Sequence, residues 1–400
     1  MCKSAIMSVN KNILHPKIID FIKHHENDDI PALILKGSSF KTVSIQHIAQ
    51  QIKGKQIAKT KFPTLYSNEQ IIYPPKLNLE QSSSEITAKY KAQFLKSDDK
   101  VIDITGGMGI DALAFAENAE NVTYCEVHPK TFEYAKHNLK IQNPKIKFHL
   151  TDGIEFIRQK KTKYDLIYVD PARRNQHQSK VFRLEDASPN VLEFLDLFKS
   201  RSNRILIKTS PLLDLKYCLN KIHNISEIHI IAIKNEVKEV LLLIDFSSTK
   251  SLPILKAINL ESGQPGFESQ LTSANPSPSI SKPKTYLYEP NAALMKSQLF
   301  GLLSLRFRLS ALAKNSHLFT SDTLIEFPGR RFKIKSVFSP KSKNIKNNIP
   351  DLKSNVSCRN YPLKSEQVKA KYKLKDGGKS YTFFTTDFKN QKIVLLCDKI

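Results

Sequence analysis

Between residues 81 and 246, short β-rich apolar runs alternate with amphipathic helical stretches. Near-continuous apolar runs are typical of strands that helices cover on both faces of a sheet. Helical stretches separate the first five runs, whereas the last two follow each other directly and should pair as a hairpin. We therefore expect an α/β fold, a Rossmann-like sheet of seven strands with an antiparallel edge. The seven runs are KVIDIT, NVTYCEV, KIKFHLT, YDLIYVD, RILIKTS, EIHIIAI and EVLLLIDF.

The first strand leads through a glycine turn into a helix, in VIDITGGMGIDALAFA. Gly107 and Gly109 allow the backbone to turn sharply and to approach a ligand closely above a helix N-terminus. The spacing fits a dinucleotide-binding loop, although that pattern alone is weak. Asp103 favours a different ligand, because an acid there disfavours a pyrophosphate and suits the cationic amino group and sulfonium of S-adenosylmethionine.

Acids recur at the ends of the next three strands. Glu126 ends the second run, where a carboxylate can accept hydrogen bonds from both ribose hydroxyls, as it also does in NAD enzymes. Asp152 follows the third run, at the position beside an adenine ring, and Asp170 ends the fourth. Each acid alone could be a surface residue or a helix N-cap. Four successive strands that each carry one indicate a functional site.

Residues 81–246 resemble the class I S-adenosylmethionine-dependent methyltransferases. The stretch Asp103-Ile-Thr105-Gly-Gly107-Met-Gly109 is similar to the first motif of that family, acid-x-Gly-x-Gly-x-Gly, with Thr105 in place of the first glycine. The resemblance implies a Rossmann-like methyltransferase core with S-adenosylmethionine as its cofactor.

The resemblance also implies roles for the other strand-end acids. Glu126 matches the ribose-binding acid, and Asp152 matches the acid on the adenine side. Asp170-Pro171 matches the fourth motif, where the methyl group meets its acceptor.

A serine-containing stretch, LEQSSSEITAKYKAQFL, precedes the first strand, as in the nucleic-acid-modifying branch of the family. There a comparable stretch helps to enclose the cofactor, which implicates Ser83 and Ser84. The alternative is a helix N-cap, because the serines are followed by Glu and a helical run.

The fourth strand ends in DPARR, which bears on the reaction. Amino-methylating relatives carry Asn/Asp-Pro-Pro-aromatic, in which the aromatic ring stacks on a flipped base. Here Ala172 and Arg173 replace the second proline and the aromatic residue. Asp170 could still accept an amine N–H, and Arg173 could stack on a base or hold a phosphate bidentately.

The two arginines have a structural alternative, because salt bridges to Glu185 and Asp186 would also account for them. We expect these four residues to be catalytic: Asp170, Pro171, Arg173 and Arg174.

The fifth strand ends in LIKTSPLLD, and Lys208, Ser210 and Asp214 there are candidate substrate contacts across the cleft from Asp170. Asp214 could instead cap its helix. RNA 5-methyluridine enzymes need a cysteine nucleophile just after this strand. None is present, and Cys218 lies within the next helical stretch, which disfavours covalent chemistry at C5.

The whole architecture resembles bacterial methyltransferases that carry a C-terminal THUMP-like domain, a type of module associated with RNA binding. The tail reads β-α-β-α-β-β, with a helix ended by Gly377 and Gly378. Residues 247–285 are rich in Ser, Pro and Gly and read as a linker or an irregular excursion. We expect four segments: an N-terminal helical region (1–80), the methyltransferase domain (81–248), a linker and helical or ferredoxin-like connection (249–329), and a basic THUMP-like α+β domain (330–400).

Charge supports an RNA partner. The chain has a net charge of +24, and residues 330–400 hold 18 Lys and Arg against 5 Asp and Glu. A Lys-, Asn- and Ile-rich composition could raise the charge of the whole chain, but it would not concentrate the excess in one segment. The expected partner is rRNA or tRNA. Two other classes stay open: an RNA-binding protein with a degenerate or sensory core, and a methyltransferase acting on protein or a small molecule.

The remaining composition narrows the setting. No apolar run approaches the roughly 20 residues that cross a bilayer, and no signal peptide is evident. Five scattered cysteines without a CxxC pair argue against a zinc site and a disulfide framework. We therefore expect a cytoplasmic protein without a metal or a membrane partner.

Overall fold

The computed structural model describes residues 9–38, 40–173, 183–248, 252–272 and 276–400. The chain divides into two compact units, and each is described by itself. The first comprises Met1–Ile225 and Leu242–Thr249, and the second comprises Ser226–Leu241 and Lys250–Ile400. Within the described part of the chain, no helix is long and apolar enough to cross a membrane.

The first unit opens with short helices, as the spacing of Ile and Ala predicts. Side chains cap several of them: Asp29, Ser44 and Ser84 each accept a backbone N–H from the first turn. The helices are α1 (Pro16–His24), α2 (Ile30–Lys36), α3 (Ile45–Lys61), α4 (Pro63–Tyr66), α5 (Lys76–Gln81) and α6 (Glu85–Ala92).

Strands and helices then alternate. Their bounds are β1 (Lys100–Asp103), α7 (Ile110–Asn118), β2 (Asn121–Glu126), α8 (Pro129–Gln142), β3 (Lys147–Leu150), α9 (Gly153–Gln159), β4 (Leu166–Val169), β5 (Ala172–Arg173), β6 (Ala187–Ser188), α10 (Leu195–Lys199), β7 (Arg204–Thr209), α11 (Leu215–Lys221), β8 (Ile225–Ile233) and β9 (Glu236–Asp245). Short 3-10 turns occupy Lys11–Leu14, Leu184–Asp186, Val191–Phe194 and Pro350–Leu352.

The sheet of the first unit confirms the α/β prediction. Its strand order is β3-β2-β1-β4-β7-β9, and β1 pairs in parallel with both β2 and β4. Every residue of β4 is buried, as expected for a strand covered on both faces. Because neighbouring strands run parallel, their carboxyl ends lie at one edge, which is where the strand-end acids are found.

The second unit has the strand order β9-β8-β10-β11 in its first sheet. The turn between β8 and β9 is formed by Lys234 and Asn235, both with positive φ, as in a two-residue hairpin turn. The predicted hairpin is therefore present, but it does not form the edge of the sheet, because β10 pairs with β8 and β11 pairs with β10. The further elements of this unit are β10 (Ile254–Leu260), β11 (Phe267–Gln270), β12 (Tyr286–Pro290), α12 (Ala292–Ser297), α13 (Phe300–Phe307), β13 (Ser310–Ala311), β14 (Phe319–Ser321), β15 (Gly329–Phe338), α14 (Ser342–Asn348), β16 (Asn355–Cys358), α15 (Ser365–Tyr372), β17 (Ser380–Thr386) and β18 (Lys392–Lys399).

The interpretation of residues 247–285 as a linker was wrong for much of that stretch. It contains β10, which pairs in parallel with β8, and β11, which pairs antiparallel with β10. Alternate residues of β10 are buried, so the strand follows a period of two. The Ser, Pro and Gly residues around these strands obscured that short pattern.

A second sheet fills the rest of this unit, in the order β13-β14-β12-β15-β18-β17-β16. The tail is β-α-β-α-β-β as predicted. Its helix α15 ends at Tyr372, with Lys373 in the left-handed conformation, so Gly377 and Gly378 do not end it as expected. Within the helical or ferredoxin-like connection expected at 249–329, α12 and α13 are separated by Gln298, which has a positive φ.

Candidate active site

The ends of four parallel strands of the first unit bring the candidate residues together. Asp103 ends β1, Glu126 ends β2, Asp170 follows β4, and Lys208 is the penultimate residue of β7. Asp103 and Glu126 are buried, whereas Asp170 is partly exposed. The carboxyl edge of an open parallel sheet is the usual position for a ligand in α/β folds.

Thr105 connects two of these acids. Its backbone N–H donates to Asp103 Oδ1 at 3.0 Å, and its hydroxyl oxygen lies 3.4 Å from the same atom. The backbone N–H of Asp170 donates to the Thr105 hydroxyl at 2.7 Å. The hydroxyl therefore joins the ends of β1 and β4, which a glycine at this position would leave without a side-chain link.

The glycines of the turn divide into two kinds. A Cβ atom on Gly106 would lie 2.2 Å from the Tyr124 ring, and one on Gly109 would lie 2.2 Å from Leu139 Cδ1, so both pack tightly against the protein. A Cβ atom on Gly107 would meet nothing closer than 3.8 Å. Gly107 and Gly109 have positive φ, which glycine adopts readily. The turn thus leaves open space above Gly107.

Glu126 accepts backbone hydrogen bonds through both carboxylate oxygens. Gly107 N–H donates to Oε2 at 2.8 Å, and His128 N–H donates to Oε1 at 2.7 Å. Each carboxylate oxygen can accept more than one hydrogen bond, so capacity for two further donors remains. The two backbone bonds fix the orientation of the Glu126 carboxylate.

Asp170 and Lys208 form a direct ion pair. Lys208 Nζ lies 2.5 Å from Asp170 Oδ2, with the side chains 14% and 31% exposed. The sequence suggested that Lys208 lies across the cleft from Asp170, and the structure brings the two charged groups into contact. Half-buried ion pairs with short contacts hold both side chains in place.

A buried network that the sequence reading missed lies beside the site. Asp111, at the start of α7, forms an ion pair with the fully buried Lys91, with Nζ and Oδ1 3.1 Å apart. Its Oδ2 accepts from the hydroxyls of Ser83 at 2.7 Å and Tyr168 at 2.8 Å. Ser83 thus supports the start of α7, and Ser84 caps α6. Asp111 lies two residues after Gly109 of the glycine turn, a position that could have drawn attention to it.

These charges shift the pKa values of two carboxyls in opposite directions. Burial raises the pKa of Asp103 well above its usual range, and the neighbouring carboxylates of Asp111, Asp170 and Glu126 add to the rise. Burial alone would also raise the pKa of Asp111, but the positive charges of Lys91 and Lys208 hold it below its usual value. The site therefore contains one acid that carries its negative charge only at a cost.

Two of the expected residues act as helix caps. Asp152 Oδ1 accepts from the N–H groups of Ile154 and Glu155, and Asp214 Oδ1 accepts from those of Lys216 and Tyr217. These contacts agree with the capping alternative, and a ligand-binding role for either residue stays a prediction.

The remaining residues expected at the site make fewer contacts with it or lie outside the described part of the chain. The Ser210 hydroxyl accepts the N–H of Leu212. Pro171 is buried, and Arg173 lies in β5, which pairs antiparallel with β6. Arg174 lies outside the described residues. Glu185, one suggested arginine partner, contacts Tyr217 and Lys221.

Comparison with known proteins shows which domain families the segments of the chain match. Family models match residues 83–192 as a methyltransferase small domain, 286–328 as a ferredoxin-like domain and 329–399 as a THUMP domain-like segment. The chain carries a methyltransferase domain and a C-terminal THUMP-like domain. The methyltransferase domain includes the serine stretch, the glycine turn and Asp170.

Two relatives extend this result. A protein of Porphyromonas gingivalis W83, provisionally named a methyltransferase, has a crystal structure that matches 98% of this chain and 100% of its own, with a TM-score of 0.87 and 29% identity. An uncharacterized RNA methyltransferase of Mycoplasma mobile is 29% identical over 105 residues, which is 26% of this chain. The chain spans 29% of the length of that relative.

Proposed function

We propose that this protein transfers a methyl group from S-adenosylmethionine to RNA. The observation that carries the proposal is the hydrogen-bonded connection from Asp103 through Thr105 to the Asp170–Lys208 ion pair, at the same sheet edge as Glu126 and the glycine turn. The acceptor groups of Glu126, which suit a nucleoside, and the Asp170–Lys208 pair thus lie at one edge of the methyltransferase domain.

The residues fit S-adenosylmethionine. When bound, this cofactor supplies a methyl group that its sulfonium activates. Glu126 has acceptor capacity for two ribose hydroxyls, and the space above Gly107 admits a ligand close to the backbone. Three carboxyls (Asp103, Glu126 and Asp170) lie at this edge of the sheet with one lysine, Lys208. The surplus of negative charge suits a cationic ligand.

Asp170 is the residue best placed to orient the methyl acceptor. Methyl transfer is an in-line displacement, so the chain contributes mainly alignment and management of a proton. Lys208 engages Oδ2, and Thr105 holds the backbone, so the carboxylate is fixed. Oδ1 can then accept a hydrogen bond from the group to be methylated.

Three observations support RNA as the methyl acceptor. The C-terminal segment is strongly basic, it matches a THUMP domain-like family, and the Mycoplasma mobile relative is named an RNA methyltransferase. Lys and Arg neutralise backbone phosphates, which supplies most of the sequence-independent affinity for nucleic acid. The rRNA and tRNA classes both suit this surface.

The test is transfer of tritiated methyl from S-adenosylmethionine to total RNA from a strain that lacks the gene. Asp170→Asn and Lys208→Met should each abolish labelling while calorimetry shows cofactor binding retained. Asp29→Asn is the matched control, because Asp29 caps α2 outside the candidate site, asparagine also caps helices, and labelling should persist. Fractionation of the labelled RNA by size would distinguish rRNA from tRNA.

Two results would contradict the proposal. Cofactor binding without label in RNA would direct attention to a protein or small-molecule methyl acceptor. Absence of cofactor binding would favour an RNA-binding protein with a degenerate core.

A further inference from the structure

The second unit contains a cavity of about 330 Å³, at the lower end of the range for small-molecule sites. Two arginines, Arg330 and Arg359, line it, together with Glu289. Glu289 and Arg330 are direct cross-strand neighbours on β12 and β15, and Arg359 follows β16. The cavity thus draws its charged residues from both the ferredoxin-like and the THUMP-like segments.

Glu289 holds both guanidinium groups in fixed positions. Its Oε2 accepts from Arg330 Nε at 2.7 Å and also contacts Nη2, while its Oε1 accepts from Nε and Nη2 of Arg359, both at 2.9 Å. The carboxylate is 3% exposed, whereas the arginine side chains are 38% and 36% exposed. The ring centroids of Phe332 and Tyr381 lie 5.6 and 5.9 Å from Arg330 Cζ, and these rings further restrict the guanidinium.

The charges of this cluster do not balance. Two guanidiniums face one carboxylate, and Glu289 is the only acid among the described residues that line the cavity. Each arginine points its Nε–H and one N–H of Nη2 at Glu289. The two N–H groups of Nη1 and the second N–H of Nη2 remain as three donors. One positive charge and two forked donor groups therefore remain for a ligand.

The neutral lining residues also present donors. Gln264 Oε1 accepts from Asn259 and Asn291, and Asn235 Oδ1 accepts from the backbone N–H of Ala292. With these oxygens engaged, the amide nitrogens of Gln264 and Asn235 are left as donors. A cavity whose acceptors are used and whose donors remain selects an anion rich in acceptor oxygens.

We infer that this cavity binds the phosphate monoester group of a nucleotide or of a phosphorylated RNA end. A carboxylate has two oxygens and satisfies one arginine fork, whereas a terminal phosphate has three oxygens and can engage two forks at once. The amide side chains then lie beside the nucleoside that carries the phosphate. The inference does not depend on methyl transfer, because the binding requires no methyl donor.

The experiment uses the full chain and five probes in calorimetry: inorganic phosphate, AMP, adenosine, a short RNA with a 5′-phosphate, and the same RNA with a 5′-hydroxyl. We expect inorganic phosphate and AMP to bind and adenosine not to bind. Arg359→Gln and Arg330→Gln should weaken AMP binding at least tenfold. Glu289→Gln should do the same by releasing both arginines, which makes Glu289 a positioning residue.

Lys333→Ala is the matched control, because Lys333 is exposed on the same strand as Arg330 and does not line the cavity. It should bind AMP as the wild type does. Circular dichroism and the melting temperature would confirm that each variant is folded. If Arg359→Gln does not fold, Arg359→Lys replaces it in the experiment.

The RNA probes identify the source of the phosphate. Preference for the 5′-phosphorylated RNA over the 5′-hydroxyl RNA would assign the site to an RNA end, and AMP binding without that preference would assign it to a free nucleotide. Failure of the wild type to bind any phosphate probe, or equal binding by folded Arg359→Gln, would overturn the inference.

Discussion

Thr105 is the residue at which the glycine turn departs from the methyltransferase motif that it resembles. That motif has glycine where this chain has a hydroxyl that bridges Asp103 and the backbone of Asp170. The sequence identified the departure but offered no reason for it, because the partner N–H comes from a strand 65 residues later in the chain.

We expect Thr105→Val to reduce the rate of methyl transfer by about 10- to 100-fold, because an unmet hydrogen bond costs about 1–3 kcal/mol. Thr105→Ser retains the hydroxyl and should retain most of the rate. Single-turnover kinetics at saturating cofactor would measure the effect. A slow Thr105→Ser variant would show that the methyl group, and not the hydrogen bond, matters.

We expect Asp103 to make the affinity for S-adenosylmethionine dependent on pH. Burial raises the pKa of Asp103, so the carboxyl stays protonated above about pH 4, where an ordinary aspartate ionises. A cationic ligand favours the ionised form. Affinity for S-adenosylmethionine should therefore rise with pH through this window, with release of a proton on binding. Calorimetry in buffers of different ionisation enthalpy would detect that proton.

Stability should change with pH in the opposite direction. The folded protein binds the Asp103 proton more tightly than the unfolded chain does, so this contribution to stability is present at low pH and is lost as the pH rises. Asp103→Asn should flatten both profiles. Cofactor affinity that does not vary with pH in the wild type would contradict the assignment.

At the scale of elements, we expect the two glycines of the turn to have different roles, with Gly109 needed for stability and Gly107 for cofactor binding. Gly109→Ala must accommodate a positive φ at about 1–2 kcal/mol and a clash with Leu139 at about 1–3 kcal/mol more. Gly107→Ala bears the first cost only, because its Cβ atom projects into open space. We expect Gly109→Ala to lower the free energy of unfolding strongly, and Gly107→Ala to lower it mildly while weakening cofactor binding.

Denaturant unfolding and calorimetry on the two variants would check this contrast. Because both glycines lie in one turn, each variant is the control for the other. Equal loss of cofactor affinity in both, at equal stability, would show that the space above Gly107 is not where the ligand lies.

The sequence predicted the elements that have a long or repeated apolar pattern. The seven core strands were found because most of them are near-continuous apolar runs, and the position of the acids at one edge followed from the parallel topology. β10 escaped because its burial alternates over seven residues among turn-forming residues. The Lys91–Asp111 pair escaped because a buried lysine in a helix looks like any exposed one until its partner is known.

At the scale of the whole molecule, the basic C-terminal segment should set the salt dependence of RNA binding. Lys371, Lys373 and Lys375 are exposed. Replacing all three with Gln should lower the slope of log affinity against log salt by about 0.7 for each RNA phosphate that a lysine no longer neutralises. Cofactor affinity should not change. Filter binding over a salt series would measure the slope.

The charge-matched control replaces three exposed lysines of the N-terminal helical region, Lys17, Lys36 and Lys41. It removes the same net charge and should leave the slope near that of the wild type. An equal change in both triple variants would mean that net charge, and not the C-terminal segment, governs binding.

The domain limits remain a prediction, and the second sheet shows where a cut would matter. β12 pairs with β15 along five residues, Tyr286–Pro290 against Gly329–Lys333, so the border between the two matched family segments follows a ladder of backbone hydrogen bonds. The two segments therefore share a common seam. A gene fragment that starts at residue 330 would expose the edge of β15 that β12 covers and be prone to association, whereas one that starts before β12 would keep that edge paired. Gene recombination that divides the second sheet would have the same effect as such a fragment. We therefore expect the ferredoxin-like and THUMP-like segments to be inherited together.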